Sequence, residues 1–433
     1  MNSWRKVAIG EVAQVFDGPH ATPRTVSNGP IFLGIGALQD GRLNLTETRH
    51  VTPDDFKKWT RRVKPKTDDI VFSYETRLGQ AAIIPEGLEC CLGRRMGLVR
   101  VDRTKLDPRF FLYLYLSPPY QEFLRSRTIP GATVDRIALK EFPSFAISLP
   151  SIAEQLAISS TLSAIDDKIE SNRRMNETLE AMARAIFKDW FVDFGPTRAK
   201  IEGRKPYLAP DIWALFPDRL DDKGKPEGWQ ENPLTAFFSI IGGGTPKTSV
   251  DDYWGGTIPW FSVVDTPSTG SVFVVATDKT ITQKGLDESS ARLVPEGTTI
   301  ISARGTVGNL AIAGQPMAFN QSCYALQGEG DVGRCFVFLA AQNMVGRLQS
   351  IAHGSVFSTI TRRTFEAVTL AMPPGGLLSA FEEVVQPLFA RIKANVAESR
   401  TLAAIRDLLL PKLMSGEIRV SEVEILAKQA AHG

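Results

Sequence analysis

Residues 158–190, ISSTLSAIDDKIESNRRMNETLEAMARAIFKDW, and residues 381–413, FEEVVQPLFARIKANVAESRTLAAIRDLLLPKL, carry the same seam. In the first, Ile158, Leu162, Ile165, Ile169, Asn172, Asn176, Leu179, Ala183 and Ile186 are spaced four and three residues apart in alternation. In the second, 223 residues later (the step from Ile158 to Phe381), the seam reads Phe381, Val385, Leu388, Ile392, Asn395, Ser399, Leu402, Arg406 and Leu409. The repeat extends over the stretch from Gly131 to Trp190, and the prolines before each stripe, Pro150 and Pro373, obey the same offset. A mean apolar period of 3.5 residues in two long segments predicts two helices whose seams bury each other. The chain therefore reads as two globular units and two long helices in a pseudo-twofold arrangement.

Working outward, Ser151 is a candidate cap with Glu154 at the capping-box spacing, and the first helix should run to about Trp190. At 1.5 Å per residue such a rod is roughly 60 Å long, too long to lie inside a small domain. Gly195-Pro196 is expected to end the pattern, and residues 196–228 read as a polar, proline-containing connector. The first unit should hold strands at Val12–Phe16, Ile31–Ile35, Asp69–Phe72 and Met96–Val101, then a helix opened by Asp107-Pro108 and interrupted at Pro118-Pro119. The second starts near Trp229, as the first does at Trp4, with strands around Trp260–Val264, Thr299–Ser302 and Cys323–Leu326. Local echoes support duplication. Lys64–Ser73 matches Val294–Ala303 at the step from Pro65 to Pro295, and Gly79–Ile83 matches Gly308–Ile312.

At 433 residues the chain fits two domains plus helical connectors. It has no apolar leader behind a basic flank and no run of about 18 or more apolar residues, which predicts a cytoplasmic chain without membrane spans. Cys90, Cys91, Cys323 and Cys335 form no Cys-x-x-Cys pair and read as reduced packing residues. The histidines, His20, His50, His353 and His432, are scattered, so no metal site is expected. A net charge of +2 does not by itself announce a nucleic-acid partner. The run Lys57, Lys58, Arg61, Arg62, Lys64 and Lys66, followed by Arg94 and Arg95, is compatible with a DNA-facing patch and with a solvated basic face.

No complete catalytic constellation is present. Ser117-Pro118-Pro119-Tyr120 has the look of an adenine amino-methyltransferase signature, but no glycine-rich cofactor loop precedes it and its repeat partner is Ala340-Ala341-Gln342-Asn343, so it reads as a helix kink. Gly242-Gly243-Gly244-Thr245-Pro246-Lys247-Thr248 fails the phosphate-loop pattern because proline precedes the lysine. It leaves two readings, a tight structural turn and a loop whose amides and Lys247 approach a DNA phosphate. Asn172 and Asn395 sit at equivalent seam positions, where a buried asparagine pair would fix register. Arginines in predicted turns can fork onto guanine or clamp phosphate, and carboxamides can read adenine. The aromatics Tyr253-Trp254 and Trp260-Phe261 read as loop anchors.

Three passages, Gly243–Lys247 through Tyr253–Gly256 to Ile258-Pro259-Trp260, Arg406–Ile418, and Ala153-Glu154-Gln155, resemble the specificity subunits of type I restriction-modification systems over almost the whole chain. The resemblance implies an α+β fold: two similar mixed α/β target-recognition domains separated by a long antiparallel two-helix coiled coil. It divides the chain into a first target-recognition domain at 1–150, a central helix at 151–195, the connector 196–228, a second target-recognition domain at 229–373, a distal helix and tail at 374–421 and a C-terminal tail at 422–433. It implies a non-catalytic subunit that reads a bipartite double-stranded DNA target, docks two modification (methyltransferase) subunits and joins restriction/translocase subunits. S-adenosylmethionine, ATP and Mg would belong to those partners, with no cofactor in this chain. The alternative is a helical scaffold without sequence-specific recognition. Under the resemblance, Arg24, Asn28, Arg61, Arg62, Lys64, Lys66, Arg77, Arg94 and Arg95 are DNA-binding candidates in the first unit. Thr245, Lys247, Thr248, Arg304, Asn309, Gln321 and Arg362 are those in the second. Because the first unit begins Phe16-Asp17-Gly18-Pro19-His20 in place of the glycine-rich turn, it is expected to use a different loop.

Overall fold

The computed structural model describes residues 4–39, 41–46, 48–131, 134–267, 270–353 and 359–422. The C-terminal tail 422–433 therefore lies outside the described residues except for Glu422. The chain divides into two compact units, residues 1–167 with 402–433, and residues 168–401.

In the first unit an antiparallel sheet is built from β1 (Ala13–Asp17), β3 (Ile70–Ser73), β4 (Ala81–Ile83) and β6 (Met96–Val101), in the order β1-β6-β3-β4. A second sheet pairs β2 (Val26–Leu33) in parallel with β5 (Cys90–Leu92). β3 is buried along its whole length and β6 over its first four residues, which is why they read as unbroken apolar runs instead of alternating ones. The segment Ile9–Val12 is a helical turn, so β1 starts one residue later than its sequence pattern suggested. Helix α1 (Pro53–Trp59) covers the second sheet, while α2 (Pro108–Leu116) is capped by Asp107, whose carboxylate accepts from the Phe110 amide at 2.8 Å. Pro118-Pro119 does more than interrupt α2. It opens α3 (Pro118–Ser126), since proline in a first turn gives up an amide that has no intrahelical partner anyway.

The second unit repeats this plan. Its sheet uses β7 (Phe238–Gly242), β9 (Phe273–Val274), β10 (Thr299–Ser302), β11 (Leu310–Ala313) and β13 (Cys323–Gly328), ordered β7-β13-β10-β11-β9. A second sheet pairs β8 (Trp254–Phe261) in parallel with β12 (Met317–Phe319). The duplication reaches register: Ile70 faces Ile83 across one hairpin, and Thr299 faces Ile312 across the other. β8 ends at Phe261, earlier than expected, because Ser262 and Asp265 bond to each other and wind residues 263–265 into a 3-10 turn.

The long helices α4 (Ile152–Phe191) and α7 (Gly375–Ser415) contribute to both cores. In the first unit, Ile158 and Leu162 pack in one cluster with Leu410, Leu413 and Met414. Asp166 there joins Arg406 at 2.8 Å and the Tyr113 hydroxyl at 2.7 Å. In the second unit the two helices run antiparallel: Lys168 meets Glu398, Asn176 meets Asn395, and Phe187 meets Phe381. Phe187, Trp190, Phe191 and Phe381 share a core with Phe336 of α6 (Arg334–His353). Gly195-Pro196 begins a short helix, α5 (Gly195–Ile201), once Phe194 has turned the chain with φ 54°. The connector is correspondingly more than a linker, because Ala199 and Phe216 are buried in the second unit's core.

The asparagines pair differently from expectation. Asn395 donates to Asn176 at 2.8 Å, and Asn172 donates to Ser399 at 3.2 Å and Glu398 at 2.8 Å. In an antiparallel pair a residue faces its mate's neighbour one turn on, so Asn172 and Asn395 form two related contacts in place of one shared contact. Asn395→Ala is expected to cost about 1–3 kcal/mol, because it leaves the buried Asn176 carbonyl without its donor. Ser399→Ala, with Asn172 still bound to Glu398, should cost under about 0.5 kcal/mol. Hydrogen exchange of the second unit's helical amides checks both.

Candidate nucleic-acid interface

In each unit the strands deliver four turns to one end. In the second unit these turns follow β7, β8, β10 and β12, and the backbone ties them together. Gly243 N–H donates to Cys323 O, Gly244 N–H to Phe319 O, Asn320 N–H to Phe261 O, and Ala303 N–H to Ser322 O. Glycine is required at the first turn, since a Cβ on Gly243 would stand 2.1 Å from Asn320 O and one on Gly244 would stand 2.2 Å from Ser290 O. The anchors are the tryptophans: Trp260 Nε1 donates to Gly244 O at 3.0 Å, Trp254 Nε1 donates to Lys247 O at 3.3 Å, and the two rings meet edge-on at 5.1 Å.

Thr245, Lys247 and Thr248 stand on this braced turn, and the Thr245 hydroxyl donates to Gln321 Oε1 on the neighbouring one. Arg304 is exposed in the turn after β10, which closes at Asn309 through Ser302 N–H to Asn309 O. Arg362 follows within two residues of Ile360, whose amide donates to Ala303 O, and lies 3.9 Å from Glu366. The structure thus brings all seven candidates of the second unit to one end.

The first unit has the equivalent end. Gly18 N–H donates to Met96 O and Tyr74 N–H to Arg95 O, while Arg77 Nη1 donates to the carbonyls of Ile35 and Gly36. Arg94, in the turn after β5, is exposed here, whereas Arg24 is exposed in the segment before β2 and is not tied to this end. Arg95 is engaged, with Nε 3.0 Å from Glu75 and Nη1 donating to Thr76. Asp17 gathers three groups: His20 Nε2 at 2.8 Å, the Tyr74 hydroxyl at 3.1 Å and Arg62 Nη1 at 3.6 Å. Burial and the Asp17 charge raise the Tyr74 hydroxyl above its ordinary range, keeping it a proton donor. Lys64 and Lys66 are not brought to this end. Lys64 pairs with Glu89 before β5 and Lys66 precedes β3, at the strands' other end. Asn28 lies in the bulged early part of β2, and Arg61 in the turn closing α1. Half of the basic run is spent on ion pairs, Lys58 with Asp55, Arg62 with Asp17 and Lys64 with Glu89. The association of Tyr74 with Asp17 and His20 escaped the sequence reading because it depends on two separate turns.

Ser117-Pro118-Pro119-Tyr120 is a helix start with exposed prolines between two buried residues: Ser117 Oγ donates to Leu114 O and Tyr120 packs on Tyr115 and Phe123. The cysteines are buried and unpaired, with burial pushing Cys90, Cys91 and Cys323 up to about 12. Among the described residues no helix is long and apolar enough to cross a membrane.

Residues 1–181 and 226–376 match the family described as type I restriction modification DNA specificity domain. The chain belongs to this family. The two matched stretches each contain one of the four-turn ends. Among relatives in the specificity-domain family, the type I restriction enzyme HindI specificity subunit of Haemophilus influenzae is 24% identical, covering 96% of this chain and 100% of its own. The MjaIX specificity subunit of Methanocaldococcus jannaschii is 25% identical over 94% of this chain and 88% of its own. In fold the chain is similar to the crystal structure of the type I restriction-modification S subunit from M. genitalium, with TM-score 0.58, 16% identity, and coverage of 95% of this chain and 96% of that one.

Proposed function

We propose that this chain is the non-catalytic DNA-specificity subunit of a type I restriction-modification complex, acting in the cytoplasm. The observation that carries the reading is the recurrence of one braced four-turn end in two units whose side chains there differ: Arg77 and Arg94 in one, Lys247, Arg304 and Gln321 in the other. A shared scaffold with divergent tips is what two domains reading two different half-sites require. Exposed cations supply phosphate attraction, and forks and carboxamides at the turn tips supply base readout in the major groove.

In this reading 1–150 and 229–373 are the recognition domains, and the helices of 151–195 and 374–421 set the gap between half-sites and dock two modification subunits. S-adenosylmethionine, ATP and Mg are handled by the modification and restriction/translocase partners. The test is methylation-site mapping in a host expressing this chain with its modification subunit, against the same host without the chain. A bipartite adenine-methylated motif present only with the chain is expected. An unchanged methylation pattern from an otherwise active complex overturns the reading in favour of a scaffold.

A further inference from the structure

Val264 is 80% exposed, more than any other large hydrophobic residue among those described, ahead of Leu408 at 62%. It contributes nothing to the core, yet its backbone is fixed. Asp265 Oδ2 accepts from Ser262 N–H at 2.8 Å and from Ser262 Oγ at 2.9 Å, and Oδ1 accepts from Asp278 N–H at 2.6 Å. The Thr266 amide and hydroxyl both donate to Val263 O. Val263 packs inward against the cluster that contains Phe261 and Phe319, so its neighbour points out. The result is an apolar knob on a stapled 3-10 turn. A β-branched side chain has few rotamers to lose on contact, which suits it to a rigid contact surface.

The turn belongs to the end that carries Lys247, Arg304 and Gln321, since Phe261 O accepts from Asn320 N–H immediately before Gln321. Phosphates and base donors or acceptors gain nothing from a valine. The apolar feature that base edges display in the major groove is the thymine 5-methyl group. We propose that Val264 is a specificity-determining residue of the second unit, packing on a thymine methyl of its half-site. This rests on the reading of this end as a DNA-recognition surface. The first unit does not repeat the device. In the corresponding 3-10 turn, Ile35–Ala37, Ile35 packs inward as Val263 does and the exposed middle position is Gly36, which carries no side chain and has the Arg77 guanidinium on its carbonyl.

The test uses the assembled complex of this chain with its modification subunits, and duplexes carrying the mapped target. Thymines of the second half-site are replaced one at a time by deoxyuridine, which removes only the methyl group. One replacement should weaken binding by the wild-type complex about fourfold, the worth of roughly one buried methyl-sized group. Val264→Ser should lose affinity for the thymine duplex and show no penalty for that replacement. If no uracil substitution weakens the wild-type complex, if the half-site holds no thymine, or if Val264→Ser keeps the full penalty, the contact is overturned. Loss of modification-subunit binding by Val264→Ser, with methyl sensitivity intact, also overturns it by assigning the knob to a protein partner. A wild-type complex that binds its target no better than a scrambled duplex removes the DNA reading itself, which selective binding without a methyl effect does not.

Discussion

Phe381→Ala is expected to destabilise the second unit by about 3–5 kcal/mol, the range for deleting a fully buried phenylalanine from a core that cannot collapse around the gap. Phe381 is at 0% exposure, and its ring centroid lies 4.9 Å from Phe191, 5.6 Å from Trp190, and 6.0 Å from both Phe187 and Phe336. All four contacts are edge-on, the geometry in which ring quadrupoles attract, which places the loss toward the upper end of that range. The surrounding rings come from α4 and α6, each fixed by its own further contacts. That limits how far they can close on the cavity. Hydrogen exchange should register the loss across α6 and the helical segments of residues 168–191 and 375–401, with the first unit's β3 and β6 unchanged. A loss below about 1 kcal/mol would mean that the aromatic cluster does not hold these helices together.

Phe381 is also a measure of what the chain discloses by itself. It stands at a position of the 3.5-residue seam, and the seam positions are buried or half-buried from Ile158 to Leu409. Periodicity survives in a long helix because every turn meets the same kind of neighbour. The hairpin echoes were legible for a related reason: Ile70 and Ile83, like Thr299 and Ile312, face each other within one short hairpin whose register the turn fixes. Contacts assembled from distant turns leave no such trace. The pairing of Asn395 with Asn176 instead of Asn172 depends on helix stagger, and the gathering of His20, Tyr74 and Arg62 around Asp17 on three loops. The basic run misled for the opposite reason. Its charges are adjacent in sequence, but α1 and the start of β3 send Lys64 and Lys66 away from Arg62 and into separate surroundings. Val264 had no signature at all, since an apolar residue following an apolar strand reads as its continuation.

Lys247→Ala and Arg304→Ala are expected to separate the two ways in which the second unit's end can hold DNA. Both side chains are exposed, so neither substitution opens the core, and neither forms an ion pair among the described residues. Lys247 is a compact charge whose carbonyl is pinned by Trp254. As a phosphate contact it contributes to every sequence alike, and its removal should weaken cognate and scrambled duplexes equally while lowering the salt slope by about 0.9. Arg304 is a planar fork in a turn shaped by Gly305 and Gly308, at φ 77° and 94°, which carries it clear of the strands. If it meets guanine O6 and N7 its removal should cost about 1–3 kcal/mol on the cognate duplex alone, relaxing selectivity at one position. Titrations across ionic strength on paired duplexes distinguish the outcomes, because a lost phosphate contact changes the slope and a lost base contact changes the ratio. Affinity, slope and ratio all unchanged in both variants would remove this end from the interface, and the braced turns would then have to serve a partner other than DNA.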